Sequence, residues 1–391
     1  MITFENAYEI VSNSARILGI EEVDLLATIG RVIAQDVVSD INMPPFDKSA
    51  VDGYACKRND FNSNNRLEIL EIIKAGQNPE KEVVNGYCSK IMTGAMLPIG
   101  AEIVIMVEDT EIIDNRVHFL KDKTATNICY IAEDIKKNDI VLKKGSYIKS
   151  QHIAVLASVG AFKTLVFKQP KVGIISTGDE LVEPTVLPTG SKIRNSNAWQ
   201  LMAQVQNAGG IPDYIGIASD NKTSTYEKIT AAFATNDIVI LSGGVSMGDF
   251  DYVPEIMQEI GVKILFRSIA VQPGRPTVFG IKDDKYIFGL PGNPVSSFVQ
   301  FEILVKHLIQ KLQNADNKAV DIILPLGADI NRKKTERKSF IPVNIKEGKL
   351  FPVDYHGSAH IHSYIFADGI IAVEKGVLSL KKGELVNVRQ L

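Results

Sequence analysis

The sequence predicts a multidomain protein of α/β plus β class, and three observations carry that reading. At 391 residues the chain exceeds what one hydrophobic core organises. Residues 169–315 alternate apolar strands, polar glycine-rich loops and helical stretches, which is the pattern of a parallel sheet with right-handed crossovers. Residues 44–134 and 316–391 instead break into short strand-like runs separated by turn residues.

Taken in order, Ala7, Ile10, Val11, Ile17 and Leu18 recur at helical spacing, and Val32–Ala34 with Val37 and Val38 read as extended chain leading to Pro44. Ile153–Ala157 reads as a helix. Residues 1–43 and 135–168 are expected to form one discontinuous domain, with 135–168 packing on the N-terminal helix. The inserted β domain, 44–134, takes strands at Leu67–Ile73, Glu82–Val84, Ala101–Met106 and Ile112–Leu120. The α/β domain, 169–315, takes strands at Lys171–Ser176, Tyr214–Ile217, Asp237–Leu241 and Tyr286–Leu290. Its helices lie at Ala198–Asn207, Tyr226–Ala234 and about Val295–Gln310. The C-terminal β domain, 316–391, takes strands at Val320–Leu324, Phe340–Val343, Ile370–Val373 and Leu385–Val388.

Composition narrows the function. Hydrophobic residues make up 45% and charged residues 23%, as in soluble globular proteins. A net charge of −3 supplies no basic field for nucleic acid. No apolar run approaches the roughly 20 residues of a membrane span. The start, Met1 to Asn6, has no basic region followed by an apolar one, so no signal peptide is read there. Cys56, Cys88 and Cys129 are odd in number and far apart, which fits a cytoplasmic location and neither a disulfide frame nor a zinc site.

The chemistry concentrates in loops. Pro44-Pro45-Phe46-Asp47-Lys48-Ser49-Ala50-Val51-Asp52-Gly53-Tyr54-Ala55 packs carboxylates, a lysine and a hydroxyl between two prolines and an Asp-Gly pair read as a turn. In the α/β domain four loops follow strand ends: Ser176-Thr177-Gly178-Asp179-Glu180, Ser219-Asp220, Ser242 to Asp251, and Pro291-Gly292-Asn293-Pro294-Val295-Ser296, where Asn or Ser caps a helix. Glycine-rich strand-to-helix turns let backbone N–H groups reach a phosphate, and a helix N-terminus favours an anion. Carboxylates beside phosphates need a hard cation between them, for which Mg²⁺ is the usual choice. The same residue types also serve as plain turns and caps. Four such loops on one sheet edge favour a phosphate-bearing ligand with a divalent ion. The absence of GxxxxGK[ST] excludes a P-loop. Arg275, within Gln272-Pro273-Gly274-Arg275-Pro276, suits an oxyanion. Glu133-Asp134 reads as a turn cap, His356, His360 and His362 as solvated loop histidines, and Arg332 to Lys338 as a solvated face.

The motifs resemble those of the molybdopterin molybdenumtransferases, or MoeA proteins, and the similar gephyrin E domain. Pro44 to Ala55 resembles PPFDxSAxDGYA, and Met92-Thr93-Gly94-Ala95 resembles MTGA. Ser176 to Leu181 resembles STGDEL, Ser242 to Asp251 resembles SGGVSxGxxD, and Pro291 to Ser296 resembles PGNPVS. The resemblance implies that the discontinuous domain is mostly helical and elongated, and it implies an α/β domain like that of molybdopterin adenylyltransferase, a C-terminal β-barrel-like domain, and a homodimer whose cleft joins the α/β domain of one subunit to the β domain of the other. It implies that molybdate is inserted into the dithiolene of adenylylated molybdopterin with Mg²⁺-dependent release of AMP, and it suggests contact with the adenylyltransferase.

On that resemblance Asp179, Glu180, Asp220, Asp249 and Asp251 are assigned to the metal. Ser176, Thr177, Gly178, Gly243, Gly244, Ser246, Pro291, Gly292, Asn293, Pro294 and Ser296 are assigned to nucleotide and pterin, and Arg275 with Ser296 to molybdate. Asp52, Thr93 and Asp134 complete the catalytic set with Glu180, Asp220 and Asp251. The chain departs from the family's RRxGED at Cys129, Tyr130 and Ala132, and carries Ser268 and Gln272 where lysines are frequent. Those departures keep open a tungstate-preferring or weakened paralogue acting as a pterin-binding scaffold. An adenylyltransferase is the third reading, which the extra β domains disfavour.

Overall fold

The computed structural model describes residues 1–63, 66–245, 252–315, 322–354 and 357–391. The α/β domain is built on a six-stranded sheet in the order Ile211–Ala218, Lys171–Thr177, Ile238–Ser242, Lys285–Leu290, Val278–Lys282, Lys263–Phe266. The first four strands run parallel, Val278–Lys282 runs against them, and Lys263–Phe266 pairs antiparallel with it and so runs again in their direction. The central strands read as near-continuous apolar runs because both faces are covered. Helices Ser196–Asn207 and Pro294–Leu312 belong to the core on one face, and Lys222–Thr235 and Val253–Glu259 to the core on the other. The strands at 263–266 and 278–282 were not foreseen; the second is the one reversed strand in an otherwise unidirectional sheet.

The helix foreseen from Val295 starts at Pro294 and continues to Leu312, with π-helical geometry over Phe301–Val305. Within this sheet the chain passes from Lys171–Thr177 to the strand on one side and then to Ile238–Ser242 on the other. The carboxyl ends of 171–177 and 238–242 therefore flank a topological switch point, the crevice where open α/β sheets bind ligands.

The β domain is a six-stranded sheet in the order Ile103–Met106, Gly53–Cys56, Tyr87–Ile91, Leu67–Ile73, Arg116–Phe119, Thr110–Ile113. Three expectations are corrected here. Ile112–Leu120 is a hairpin, not one strand, because Asp114 and Asn115 both take positive φ (50° and 60°) as a two-residue primed turn requires. Glu82–Val84 is a loop, with Val83 buried and its N–H donating to the Ile99 carbonyl at 2.8 Å. Gly53 opens a strand and is not among the glycines of positive φ. It is a glycine for lack of space, since a Cβ there would lie 2.0 Å from the Ile105 carbonyl oxygen.

The N-terminal helix, Phe4–Ser14, is capped by Thr3, whose Oγ1 accepts from the Asn6 N–H at 3.2 Å. Its apolar face, Ala7 and Val11, joins the α/β core and not residues 135–168, contrary to expectation. Ile17 and Leu18 lie past its end, and the Leu18 N–H donates to Leu312 O at 2.9 Å. Residues 135–168 pair instead with the chain that follows this helix. Ile20–Asp24 is antiparallel to Lys163–Phe167, and Val37–Val38 to Ile140–Leu142, beside the helix Ser150–Ser158. In the C-terminal domain the strands Lys338–Lys346, Gly369–Val373, Leu385–Gln390 and Ile322–Pro325 form one sheet. Val271–Gln272 of the α/β domain adds to its edge, parallel to Lys338–Ser339.

Candidate active site

At the switch point the loops enclose a cleft of about 630 Å³. Ser176, Thr177, Gly178, Glu180, Asp220, Gly243, Gly244, Pro291, Gly292, Asn293 and Pro294, all singled out in the sequence, line it together. Each is held by a local device. Gly243 takes φ +100°, and a Cβ on it would meet Thr177 Oγ1 at 2.6 Å, so only glycine lets the two strand ends approach this closely. Asp179 and Asp220 exchange bonds: the Asp179 N–H donates to Asp220 Oδ2, and the Asp220 N–H to Asp179 Oδ1, each at 3.1 Å. That reciprocal pair ties two loops together. Asn293 stands at the N-cap of the long helix but makes no side-chain cap bond. Its Nδ2 donates to Ser358 Oγ at 3.0 Å, and the Val295 N–H donates to Ser358 O. The C-terminal domain is thereby tied to the cleft, and Ala359 contributes to its wall.

Several cleft residues escaped the sequence reading. Asn197 is nine-tenths buried, and its Nδ2 donates to Ser242 Oγ and to Gly292 O, both at 2.8 Å, which joins two of the loops. Asn195 caps the helix Ser196–Asn207, accepting from the Ala198 N–H at 3.3 Å and from Ser176 Oγ at 2.9 Å. Arg194, Ser196 and Ile193 complete that side. The available signal was Arg194-Asn195-Ser196-Asn197 immediately before an apolar-periodic run, which is a helix N-terminus.

Of the other assigned residues, those that are described do not line this cleft. Arg275 is exposed beside Pro276, which lines the cleft, while Arg275 does not. Its turn is anchored to the long helix by Gln300 Nε2 donating to Pro273 O at 3.0 Å. Ser296 is buried at the first turn of that helix and is not part of the lining. Ser246, Asp249 and Asp251 fall outside the described residues.

Asp52, Thr93 and Asp134 belong to the β domain and its exit, and none of them lines the cleft of its own chain. Asp52 Oδ1 accepts from the Thr93 N–H at 2.7 Å and from Thr93 Oγ1 at 2.8 Å, and these bonds hold its carboxyl below the usual carboxylate range. Asp134 is exposed, its N–H donating to Met43 O at 3.1 Å. Beside it the Glu133 carboxylate accepts from the Tyr130 N–H at 2.9 Å, closing the turn. Lys48 and Cys129 are direct partners across an antiparallel pair, so the lysine shares a face with the position where the family motif has an arginine.

The fold and cleft define a class: a multidomain α/β protein with a polar, glycine-rich crevice at the switch point of its sheet. Three family models cover most of the chain: the MoeA N-terminal region (domain I and II) at residues 2–160, the probable molybdopterin binding domain at 173–311, and the MoeA C-terminal region (domain IV) at 324–391. The molybdopterin molybdenumtransferase of Staphylococcus epidermidis is 35% identical over 94% of this chain and 90% of its own. That of Bacillus subtilis is 34% identical, over 94% and 89%. A crystal structure of a molybdopterin biosynthesis moeA protein from Pyrococcus horikoshii matches all of this chain and all of its own, with a TM-score of 0.85 at 30% identity. The chain belongs to the molybdopterin molybdenumtransferase family, and it is a transferase of molybdenum cofactor biosynthesis.

Proposed function

We propose that the switch-point cleft binds adenylylated molybdopterin, and that the chain inserts molybdenum from molybdate into the dithiolene with Mg²⁺-dependent release of AMP. The observation that carries this reading is the convergence of Glu180 and Asp220 with the glycine-rich turn at Gly243-Gly244 and the start of a long helix at Pro294 in one cleft. The turn and the helix N-terminus offer backbone donors to phosphate oxygens. Among the described residues no three His, Cys, Asp or Glu side chains are grouped to hold a metal by themselves. That donor set still fits Mg²⁺, which takes one or two protein carboxylates and fills its remaining positions with substrate phosphates and water. Glu180 and Asp220 would hold it, with Asp179, Asp249 and Asp251 assigned beside them. Bound Mg²⁺ would offset the negative charge of the phosphoanhydride.

The protein's own residues do the positioning. Asn197 and the Asp179–Asp220 exchange fix the spacing of the loops, which keeps the phosphates and the reacting sulfurs in one register. Arg275, at the end of an anchored turn, is the proposed molybdate donor, since a guanidinium binds a tetrahedral oxyanion in two places at once. Asp52, Thr93 and Asp134 reach a cleft only from a second subunit, so the working enzyme is proposed to be a homodimer. Lys48 restores one positive charge opposite Cys129, which supports a working transferase over a scaffold. A cytoplasmic location and contact with the preceding adenylyltransferase complete the proposal. Among the described residues no helix is long and apolar enough to cross a membrane.

The test is incubation with adenylylated molybdopterin, Mg²⁺ and molybdate. AMP release that is lost in Asp220→Asn, with thermal unfolding unchanged, supports the reading. A wild-type protein that releases no AMP, or an Asp220→Asn variant with full turnover, refutes it.

A further inference from the structure

Beside the polar cleft lies a second, largely apolar hollow of about 650 Å³, lined by Glu183, Pro184, Thr185, Trp199 and the three residues Arg194, Asn195 and Ser196 that also line the cleft. The two spaces therefore share a wall. Trp199 is the single tryptophan of the chain, and it is 49% exposed. Its ring is backed by Tyr214, with centroids 5.8 Å apart and planes tilted by 44°. Tyr214 is itself fixed at both sides of its hydroxyl: it donates to Glu183 Oε1 at 2.5 Å and accepts from Asn195 Nδ2 at 3.0 Å. Asn195 in turn bonds Ser176 in the cleft. A rigid chain of contacts thus connects the cleft to the aromatic wall of the hollow.

We infer that this hollow is the subsite for the flat fused heterocycle of the substrate, with Trp199 as its stacking platform. The inference rests on the proposed function. A substrate of that kind joins charged phosphates to flat nitrogen heterocycles, and here a polar cleft lies directly beside an apolar hollow with one aromatic wall. Trp199 supplies the π-face. The Glu183 carboxylate lines the same hollow and offers an acceptor to the N–H groups that both pterin and adenine present. Stacking is tolerant of which heterocycle is bound, while an edge carboxylate selects rings with donors over rings with acceptors alone.

Because Trp199 is the sole tryptophan, its emission reports on the hollow without turnover. The intact protein is titrated separately with AMP and with 6-hydroxymethylpterin, following Trp199 emission, while calorimetry records binding independently. Quenching by AMP alone assigns the hollow to adenine, and quenching by the pterin alone assigns it to the pterin ring; either supports the inference. Trp199→Ala should raise KM for adenylylated molybdopterin roughly tenfold with kcat nearly kept, and Trp199→Phe should recover most of that loss. If both ligands leave the emission unchanged while calorimetry shows AMP binding, and Trp199→Ala keeps its KM, the inference is wrong although the proposed function stands. Emission that shifts only with protein concentration would mean that a second copy covers Trp199, and this too overturns it. Absence of AMP release from the wild-type protein would instead remove the proposed function.

Discussion

Gly243→Ala is the sharpest perturbation the cleft offers. The new Cβ would lie 2.6 Å from Thr177 Oγ1 and 2.9 Å from the Thr177 carbonyl oxygen, well inside ordinary contact. The hydroxyl can rotate away, but the carbonyl cannot, since Thr177 is paired to Ala218 in the sheet. A non-glycine residue at φ +100° adds about 1–3 kcal/mol of backbone strain. With the overlap included, a loss of about 3 kcal/mol is expected. For a domain of this size that is a fall in Tm of roughly 6–12 °C. Gly292→Ala is the control. It faces the same cleft, is not among the glycines of positive φ, and its Cβ would meet nothing closer than Gly243 Cα at 3.6 Å. Calorimetric scans of both variants should show a large loss of Tm in the first and little change in the second. Equal Tm values in the two would refute the claim that close approach of strand ends builds this cleft.

Four further outcomes are expected. Asn197→Ala should cost about 2 kcal/mol, because two 2.8 Å bonds disappear and leave Ser242 Oγ and Gly292 O short of a donor, and hydrogen exchange should quicken in both loops. His307, stacked on Tyr8 and bonded to Tyr8 and Ser12, is held near pKa 4 by burial, with Lys311 and Arg389 adding to the shift. Its unfolded form takes up a proton first, so its contribution is full above about pH 6.5 and lost as the pH falls toward 4; His307→Phe should flatten the fall in urea midpoint across that window. Mixing Asp52→Ala subunits with Glu180→Ala subunits should restore one working cleft per heterodimer, whereas no recovery in confirmed heterodimers would place the whole site in one chain. Lys48→Ala should weaken substrate binding at least tenfold, and Cys129→Arg should restore part of it, as measured by KM in the AMP-release assay.

The parts of the fold that were legible are those where one physical signal dominates. Val172–Ile175 and Ile238–Leu241 are apolar on both faces and run straight into glycine turns, so their place in a covered parallel sheet could be read directly. The strand Tyr87–Ile91 was missed because Tyr-Cys-Ser-Lys-Ile carries no clean alternation, although Cys88 and Ile91 are fully buried. The N-terminal helix was legible, but its partner was not: Ala7 and Val11 show an apolar face, and nothing local says which core covers it. In the site, the four glycine and carboxylate loops were legible by composition. Asn197 was not, since its work is to bond groups remote in sequence, Ser242 and Gly292, whereas Asn195 carried a local cap signal but its bond to Ser176 did not show. Gly53 shows the converse case, a glycine read as a turn whose actual constraint is a neighbouring strand.

The central claim is that this cleft couples AMP release to molybdenum insertion. The most direct measurement is the stoichiometry of the two: released AMP by chromatography against pterin-bound molybdenum by mass spectrometry, with Mg²⁺ present and molybdate varied. The account predicts that both rise together, one for one, and stop when molybdate is withheld. AMP released at the same rate without molybdate, or molybdenum-free pterin as the only product, would contradict it.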